Sequence, residues 1–259
     1  MPDEVAALAA ARARVLARIA AAAARAGREP ASVALVAVSK TVPAARVRAA
    51  IEAGLDVLGE NRVQEAAGKI PEVGAGSWHL VGPLQSNKAR RAVELFDVVE
   101  SVDSLGLAQR LDRIAAEVRP GRPLPVLLQV NVAGDPAKAG FTPDEVTAAV
   151  AELGALPNLR VEGLMTIGRL EASAEASRPT FRALAALSRA LREAHEGLGP
   201  VLSMGMTDDF EVAVEEGATI VRVGRALFGE RPHDHGPGHA HDGGEAHGHG
   251  HESAPDEAR

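Results

Sequence analysis

The sequence predicts an α/β protein built as a single (β/α)8 barrel of the TIM type, with an extra N-terminal helix and a disordered C-terminal tail. Short apolar runs rich in β-forming residues alternate with longer amphipathic stretches, which is typical of a parallel sheet covered by helices. Eight such runs are present, and this number suits a closed barrel better than an open sheet. The length of 259 residues is common for a one-domain barrel.

The first element is an Ala-rich segment, Ala6–Ala26, whose composition resembles that of a membrane span. Arginines interrupt it, and Val5, Leu8, Val15 and Ile19 fall on one helical face. We therefore expect a surface helix packed on the barrel. The residues before it are acidic where a signal peptide would be basic, so no signal peptide is expected.

The strands and helices of the barrel follow in alternation. The predicted strands are Leu35–Ser39, Val57–Leu58, Trp78–Val81, Val98–Ser101, Val126–Asn131, Val161–Met165, Val201–Ser203 and Ile220–Val223. The predicted helices include Pro43–Ala53, Ser104–Val118, Thr142–Leu153, Pro179–His195 and Asp208–Glu216. Thr142, Pro143 and Glu145 have the spacing of a capping box, and Gly54 follows its helix as a C-terminal glycine should.

The composition changes beyond Pro232, where Gly, His, Pro and acidic residues replace the apolar periodicity. We therefore predict a barrel domain over residues 1–231 and a disordered tail over residues 232–259. Seven of the nine histidines lie in this tail. Their His-x-His spacing could bind zinc, nickel or copper, but no fixed ligand geometry is evident, so no metal site is predicted.

The composition argues against several classes of partner. The net charge is −7, and outside the tail the acids and bases are interspersed, which leaves no basic surface for nucleic acid or membrane. Aromatic residues make up only 2% of the chain, too few for stacking single-stranded bases. The absence of cysteine excludes disulfides and thiolate chemistry. It is also compatible with a reducing compartment, and we predict a cytoplasmic protein.

Polar residues concentrate after the predicted strands, at the end of the barrel where active sites of this fold lie. Lys40 directly follows the apolar run Leu35–Ser39. Its ammonium would emerge beside apolar walls, and such surroundings lower the pKa of an amine toward the nucleophilic form. Taken alone, a lysine at a strand end is more often a solvated surface cation.

The loops after the seventh and eighth strands are the usual phosphate site of such barrels. Ser203, Gly205 and Thr207 provide small and hydroxyl residues in the first loop, and Gly224 allows a close backbone approach in the second. Ordinary turn chemistry is the alternative explanation. The presence of these residues in both loops favours an anion site.

Arg222 lies on the eighth predicted strand, two residues before Gly224, so its side chain can point into the barrel. A buried arginine needs a partner. The partner could be a barrel acid such as Glu60, or it could be a heterocyclic nitrogen of a ligand. The spacing alone does not decide between these two alternatives.

Six motifs, which include these candidate residues, follow one another along the chain. They are Val-Ser-Lys-Thr (38–41), Gly-Glu-Asn (59–61), Trp-His-Leu-Val-Gly-Pro-Leu-Gln-Ser-Asn-Lys (78–88), Gly-Leu-Met (163–165), Ser-Met-Gly-Met-Thr-Asp-Asp (203–209) and Val-Arg-Val-Gly-Arg-Ala-Leu-Phe-Gly (221–229). Together they resemble the pyridoxal 5′-phosphate (PLP) homeostasis proteins, the YggS/PROSC family. The resemblance runs from about Val5 to Arg231, and the 78–88 motif is highly specific.

The resemblance implies an alanine racemase-like barrel in which Lys40 holds PLP as a Schiff base. It implies that Arg222 faces the pyridine nitrogen of PLP. The ring pocket would be lined by Asn61, His79 and Met165, and the phosphate would be held by Ser203, Gly205, Thr207, Gly224 and Arg225. Two of these positions depart from the family pattern. Thr207 stands where serine is more familiar, and Arg225 stands where a small or hydroxyl residue is usual.

The resemblance also implies a role in intracellular vitamin B6 homeostasis without strong catalysis, so no catalytic residue is predicted. Arg222 is consistent with this role, because a guanidinium only donates and would leave the pyridine nitrogen unprotonated and the ring a weak electron sink. Racemisation needs a second acid/base, which in alanine racemase is a tyrosine from another domain, and this chain contains no tyrosine.

The expected partners are PLP itself and the PLP-dependent apoenzymes that would receive it, and the chain is expected to be a monomer. Two other functions stay open at this point. One is a weak, racemase-like PLP enzyme that acts on amino acids. The other is a sugar-phosphate-binding barrel in which Lys40 forms a Schiff base as an aldolase lysine does.

Overall fold

Eight parallel strands form a closed barrel in sequence order in the computed structural model of the chain. The structure describes residues 2–168 and 173–229. Each strand pairs with the next, and the eighth strand closes the barrel by pairing with the first. The predicted α/β barrel is therefore confirmed. The predicted tail over 232–259, and the boundary before it, lie outside the described residues.

The strands are short, as the apolar runs predict. They are β1 (Ala34–Val38), β2 (Val57–Glu60), β3 (Ser77–Leu80), β4 (Val98–Val102), β5 (Leu124–Gln129), β6 (Leu159–Met165), β7 (Val201–Ser203) and β8 (Ile220–Val223). β2 continues to Glu60 beyond the predicted end at Leu58, because its pairing with β3 extends to Glu60 opposite Leu80. β5 begins and ends earlier than predicted. It ends before Asn131, whose side chain bonds the Asp135 carbonyl at 2.8 Å.

The helices surround the barrel. They are α1 (Pro2–Arg25), α2 (Ala44–Glu52), α3 (Val63–Val73), α4 (Ala89–Leu95), α5 (Leu105–Val118), α6 (Pro143–Gly154), α7 (Arg178–Ala194), α8 (Phe210–Glu215) and α9 (Arg225–Phe228). No helix was predicted for α3, α4 or α9. α3 contains Pro71, which obscures a helical pattern, and α9 is a single turn.

Helix α1 is the predicted surface helix. Its buried face contains Leu8, Val15 and Ile19, and the helix lies against α2, α8 and α9. No helix in the described part of the chain is long and apolar enough to span a membrane.

The two predicted helix boundaries are confirmed. The Thr142 hydroxyl accepts from the backbone N–H of Glu145 at 3.2 Å, and the Glu145 carboxylate accepts from the backbone N–H of Thr142 at 2.8 Å. This reciprocal pair is the capping box that begins α6. Gly54 follows α2 with a φ of +85°, a left-handed conformation that glycine adopts without steric cost.

Candidate functional site

The carboxyl end of the barrel brings most of the predicted site residues together. In strand order these are Lys40 after β1, Asn61 after β2, His79 within β3, Met165 at the end of β6, Ser203 at the end of β7, and Arg222 within β8 followed by Gly224. Lys40 and Asn61 are half-buried, and the side chains from the strands are buried. The mouth of the barrel therefore combines an amine, a guanidinium, a histidine and a glycine-lined backbone.

Barrel closure sets Lys40 beside the loop that contains Gly224. β1 pairs with β8, with Ala37 opposite Val223. A Cβ added at Gly224 would lie 3.2 Å from the carbonyl oxygen of Val38, two residues before Lys40. This contact is tighter than a side chain normally tolerates, so glycine allows the eighth-strand loop to approach the end of β1.

A second glycine fixes the position of Asn61. A Cβ added at Gly82 would lie 2.3 Å from the carbonyl oxygen of Asn61 and 2.7 Å from its Cα. Only a residue without a side chain fits at this distance. Gly82 belongs to the 78–88 motif, so one function of that motif is to bring the loop after β3 against the loop after β2.

The loop after β7 is folded tightly onto α8. Gly205 has a φ of +91°, and a Cβ added there would lie 2.5 Å from the Cβ of Ala213. The Asp209 carboxylate accepts from the backbone N–H of Met206 at 2.7 Å and closes the turn before the helix. Thr207 lies half-buried in that turn. The loop thus has a defined backbone path that places Gly205 next to the barrel end.

Arg225 begins α9 and is exposed to solvent. Its guanidinium forms an ion pair with the Asp208 carboxylate. The pair joins the loop after β7 to the loop after β8. The Arg225 side chain therefore has a partner from the protein itself, and its charge is partly balanced beside the predicted phosphate site.

The barrel interior below the mouth contains a polar network centred on Glu100 of β4. His79 Nδ1 lies 2.6 Å from one carboxylate oxygen of Glu100, and the Ser203 hydroxyl donates to the other at 2.5 Å. Arg222 donates from Nη1 to the Ser203 hydroxyl at 2.6 Å and from Nη2 to the Thr166 carbonyl at 2.8 Å. Three predicted site residues, His79, Ser203 and Arg222, are thus connected through one carboxylate.

The charges in this network support one another. Burial would raise the pKa of Glu100, but the hydrogen bond and charge of His79, the charge of Arg222 and the Ser203 hydroxyl together hold it below its usual value. Burial lowers the pKa of Arg222, and the charges of Glu100 and Asp209 oppose that shift. Because the pKa of arginine is ordinarily far above neutrality, the guanidinium remains a donor.

Glu60, the barrel acid named as an alternative partner of Arg222, bonds other residues instead. The Glu60 carboxylate accepts from the Ser39 hydroxyl at 2.7 Å and from the Lys69 ammonium at 2.7 Å. These donors come from the turn after β1 and from α3, whereas Arg222 bonds Ser203 and Thr166. The acid whose charge acts on Arg222 is Glu100, which lies closer within the barrel.

Sequence reasoning missed Glu100 and Lys69. The signal for Glu100 was a charged residue inside the apolar predicted strand Val98–Ser101, a position that demands a buried partner. The signal for Lys69 was its position four residues after Glu65, which places both on one face of a helix. Among residues 2–168 and 173–229, no cluster of three or more His, Asp or Glu side chains suits a metal ion.

The chain has many relatives that match most of its length. The family model of the alanine racemase N-terminal domain matches residues 11–232. A pyridoxal phosphate homeostasis protein of Pseudomonas aeruginosa is 50% identical over 223 residues, which cover 85% of this chain and 94% of the relative. The chain belongs to the pyridoxal phosphate homeostasis protein family.

Other members of this homeostasis family agree in length and fold. The Escherichia coli member is 42% identical over 228 residues, covering 85% of this chain and 94% of its own. The structure of PipY from Synechococcus elongatus with PLP bound has a TM-score of 0.73 and 44% identity, and the match covers 82% of this chain and 100% of PipY. PipY shares the barrel that the present chain forms.

An alanine racemase of Clostridium difficile has a TM-score of 0.66 at 20% identity, and the match covers 85% of this chain and 56% of the racemase. At this level of identity the likeness concerns the fold. It confirms that the homeostasis family uses the barrel of alanine racemase, as the sequence predicts.

Proposed function

We propose that this chain binds PLP as a Schiff base on Lys40 and takes part in intracellular PLP homeostasis. The observation that carries the proposal is the meeting of Lys40, Gly224 and Arg222 at one barrel mouth, in a chain whose relatives are named for PLP homeostasis. The relative PipY has been solved with PLP bound. The proposed site thus combines an amine for the aldehyde, a backbone cradle for the phosphate and a donor for the ring nitrogen.

The residues at the mouth fit this cofactor. The neutral ε-amine of Lys40 would add to the aldehyde carbon, the C=N bond would replace the C=O bond, and the oxygen would leave as water. Gly205 and Gly224 let their loops pack closely against Ala213 and Val38, where a Cβ would be too near. Glycine backbone in such loops can approach a phosphate and donate to it.

The remaining predicted residues complete the proposed site. Asn61, His79 and Met165 would line the ring pocket. The phosphate contacts would come from Ser203, Gly205, Thr207, Gly224 and Arg225. The Ser203 hydroxyl bonds Glu100 and Arg222, so its contact with phosphate is the least direct of these assignments.

The interior network supports a carrier rather than an enzyme. When bound, PLP can supply an electron sink whose strength depends on protonation of the pyridine nitrogen. Arg222 offers that nitrogen only donors, and its guanidinium is held by Ser203 and the Thr166 carbonyl. The alternative, a weak racemase-like enzyme, also lacks a tyrosine to act as the opposing acid/base. We therefore assign no catalytic residue.

The other lysines of the chain are Lys69, Lys88 and Lys138. Lys69 is buried and donates to Ser39, Glu60 and Glu65. Lys138 donates to the carbonyls of two residues, with a distance of 2.7 Å to Gly168. Lys88 is the residue directly before α4, in the loop after β3. Of the four positions, the end of β1 is the one that suits a cofactor lysine.

The test compares the purified protein with its Lys40→Ala variant, and with Lys88→Ala as a control that removes a lysine from a neighbouring loop. We expect wild type and Lys88→Ala to take up PLP and to develop an absorbance band at the violet edge of the spectrum. Lys40→Ala should lose that band. Borohydride reduction followed by peptide mass spectrometry should place the label on Lys40.

A wild-type protein that stays colourless after incubation with PLP would disprove the proposal. The sugar-phosphate barrel would then become the leading alternative. An amino acid that is turned over by the coloured protein would instead favour the weak enzyme.

The wider role follows from the same site. We propose that the barrel, residues 1–231, is the PLP-binding domain, that the chain acts as a cytoplasmic monomer, and that it delivers PLP to PLP-dependent apoenzymes. The relatives' names support the homeostasis role. A reversible bond from a single lysine supports delivery, because hydrolysis of that bond returns the aldehyde unchanged.

A further inference from the structure

One helix, α3, holds the two peptide groups that flank Lys40. The Lys69 ammonium donates to the carbonyl oxygen of Ser39 at 2.7 Å. The backbone N–H of Thr41 donates to Glu65 Oε1 at 2.5 Å. Glu65 and Lys69 lie one helical turn apart and bond each other at 2.8 Å. The pair therefore spans Lys40, from the peptide before it to the peptide after it.

The support beneath this turn is shielded from water. The side chain of Lys69 is 7% exposed and that of Glu60 is 0% exposed. The Lys69 ammonium has three N–H donors, and Ser39, Glu60 and Glu65 accept one each. Exposed ion pairs are screened by solvent, whereas a buried group with every donor bonded holds a fixed geometry.

Thr41 has an unusual backbone conformation. Its φ is +65°, and within the described ranges it is the only residue other than glycine with a positive φ. A β-branched side chain is strongly disfavoured there, so the turn needs a contact from elsewhere to hold it. The bond from the Thr41 N–H to Glu65 is such a contact.

We propose that Glu65 is a positioning residue, which holds Thr41 in its left-handed conformation and thereby sets the position of Lys40 for PLP. Lys69 fixes the other side of the same turn through the Ser39 carbonyl. The inference rests on the proposed function of Lys40 and adds the group that arranges it. Without the Glu65 contact, the backbone of Thr41 leaves its left-handed conformation. The resulting change in the turn displaces Lys40.

A charge effect is the competing explanation. A carboxylate near Lys40 favours the ammonium form of the amine, which is the form that does not react with an aldehyde. The two explanations differ in what they require of residue 65. Positioning requires a hydrogen-bond acceptor, whereas the charge effect requires a negative charge.

Four variants separate these explanations. Glu65→Ala removes the acceptor and the charge, and Glu65→Gln keeps an acceptor oxygen while it removes the charge. Glu65→Ala with Thr41→Gly restores a residue that adopts a positive φ without steric cost. Glu72→Ala is the matched control, because Glu72 is an exposed carboxylate on the same helix that pairs with Arg48 at 3.5 Å.

Two readouts apply to each variant. The first is the dissociation constant of PLP, from the absorbance titration, with its pH profile. The second is hydrogen exchange of the Thr41 amide in the protein without PLP. We expect Glu65→Ala to weaken PLP binding about tenfold, equivalent to about 1.4 kcal/mol, and to speed Thr41 exchange.

The other variants should separate clearly from Glu65→Ala. Glu65→Gln and Glu72→Ala should bind PLP within about twofold of wild type, and Thr41→Gly should recover most of the affinity lost in Glu65→Ala. The pH profile should keep its midpoint in all of them.

Three results would overturn the inference: Glu65→Ala with wild-type affinity and Thr41 exchange, Glu65→Gln as weak as Glu65→Ala with a shifted pH profile, or no recovery from Thr41→Gly in a folded protein. A wild type that binds no PLP would refute the proposed function instead. In that case Thr41 exchange still reports whether Glu65 holds the turn.

Discussion

Glu60 and Glu100 lie inside the same barrel, and both are fully buried, yet their pKa values shift in opposite directions. Burial raises the pKa of Glu60, and the hydrogen bonds from Lys69 and Ser39 oppose this shift without cancelling it. For Glu100 the opposing groups outweigh burial, and its pKa lies below the usual value. Equal burial therefore does not give equal ionisation.

The two carboxylates differ in their hydrogen-bond donors and in the charges around them. Both donors to Glu60 converge on Oε1, and Oε2 is buried with no hydrogen-bond partner in the described part of the chain. The charge of Glu65 raises the pKa of Glu60 further. Glu100 has one donor on each oxygen, from His79 and Ser203, and the charge of Arg222 nearby. The charges of His79 and Arg222 act on Glu100, whereas the charge of Lys69 beside Glu60 is opposed by that of Glu65.

The largest expected effect is that of Glu100→Gln. The change removes the Glu100 charge that opposes the buried Arg222 guanidinium, and loss of one partner of a buried pair costs about 3–5 kcal/mol. We expect the free energy of unfolding, from urea denaturation at pH 7, to fall by about that amount. Glu94→Gln is the control, because its exposed pair with Arg91 is screened by solvent. Equal stability of the two variants would contradict the role given to Glu100.

Glu60→Gln should have a smaller effect at pH 7, about 1 kcal/mol, because Lys69 keeps Glu65 as a charged partner. Its pH dependence is the sharper measurement. A raised pKa in the folded state means that the folded protein binds the proton more tightly than the unfolded chain, so stability falls as the pH rises from about 4.3 through the folded pKa. In unfolding experiments between pH 4 and pH 8, we expect the stability of Glu60→Gln not to show this fall with rising pH.

A profile for Glu60→Gln that parallels the wild type would contradict the raised pKa of Glu60. Glu100 provides the opposite slope. Its lowered pKa stabilises the fold above about pH 4.3, and this contribution is lost as the pH falls through the folded pKa.

The smallest expected effect belongs to Arg225→Ala. The ion pair of Arg225 with Asp208 is exposed, and such pairs contribute about 0.5 kcal/mol. We expect stability to change by no more than this, and PLP affinity by less than about threefold, because the proposed phosphate contacts in this loop come from backbone. The absorbance titration with PLP, as used for Lys40→Ala, measures this affinity. A tenfold loss of affinity would mean that the Arg225 side chain itself holds the phosphate.

The sequence predicted the architecture because each signal for it is local. The alternation of runs such as Val201–Ser203 and Ile220–Val223 with amphipathic segments depends on neighbouring residues, and both strands have their predicted bounds. The capping box at Thr142 spans four residues. The positions of Lys40 and Arg222 followed from the predicted first and eighth strands.

The networks could not be predicted, because their members are distant in the chain. Ser203 and Glu100 are 103 residues apart, and no local pattern pairs them. The left-handed conformation of Thr41 could not be predicted for another reason, because threonine rarely adopts a positive φ. Glu65 lies four residues after the Gly-Glu-Asn motif, yet only the folded turn reveals which atom it bonds.

The pairing of β1 with β8 has a consequence for the order in which the site is made. Lys40 follows the first strand of the barrel, whereas Arg222 and Gly224 lie on the last strand and the loop after it. The ribosome therefore releases Lys40 before them, and β1 can pair with β8 only after the rest of the barrel has been synthesised. During synthesis Lys40 lacks the neighbouring loop that contains Gly224. The proposed capture of the aldehyde therefore depends on all eight strands of the barrel.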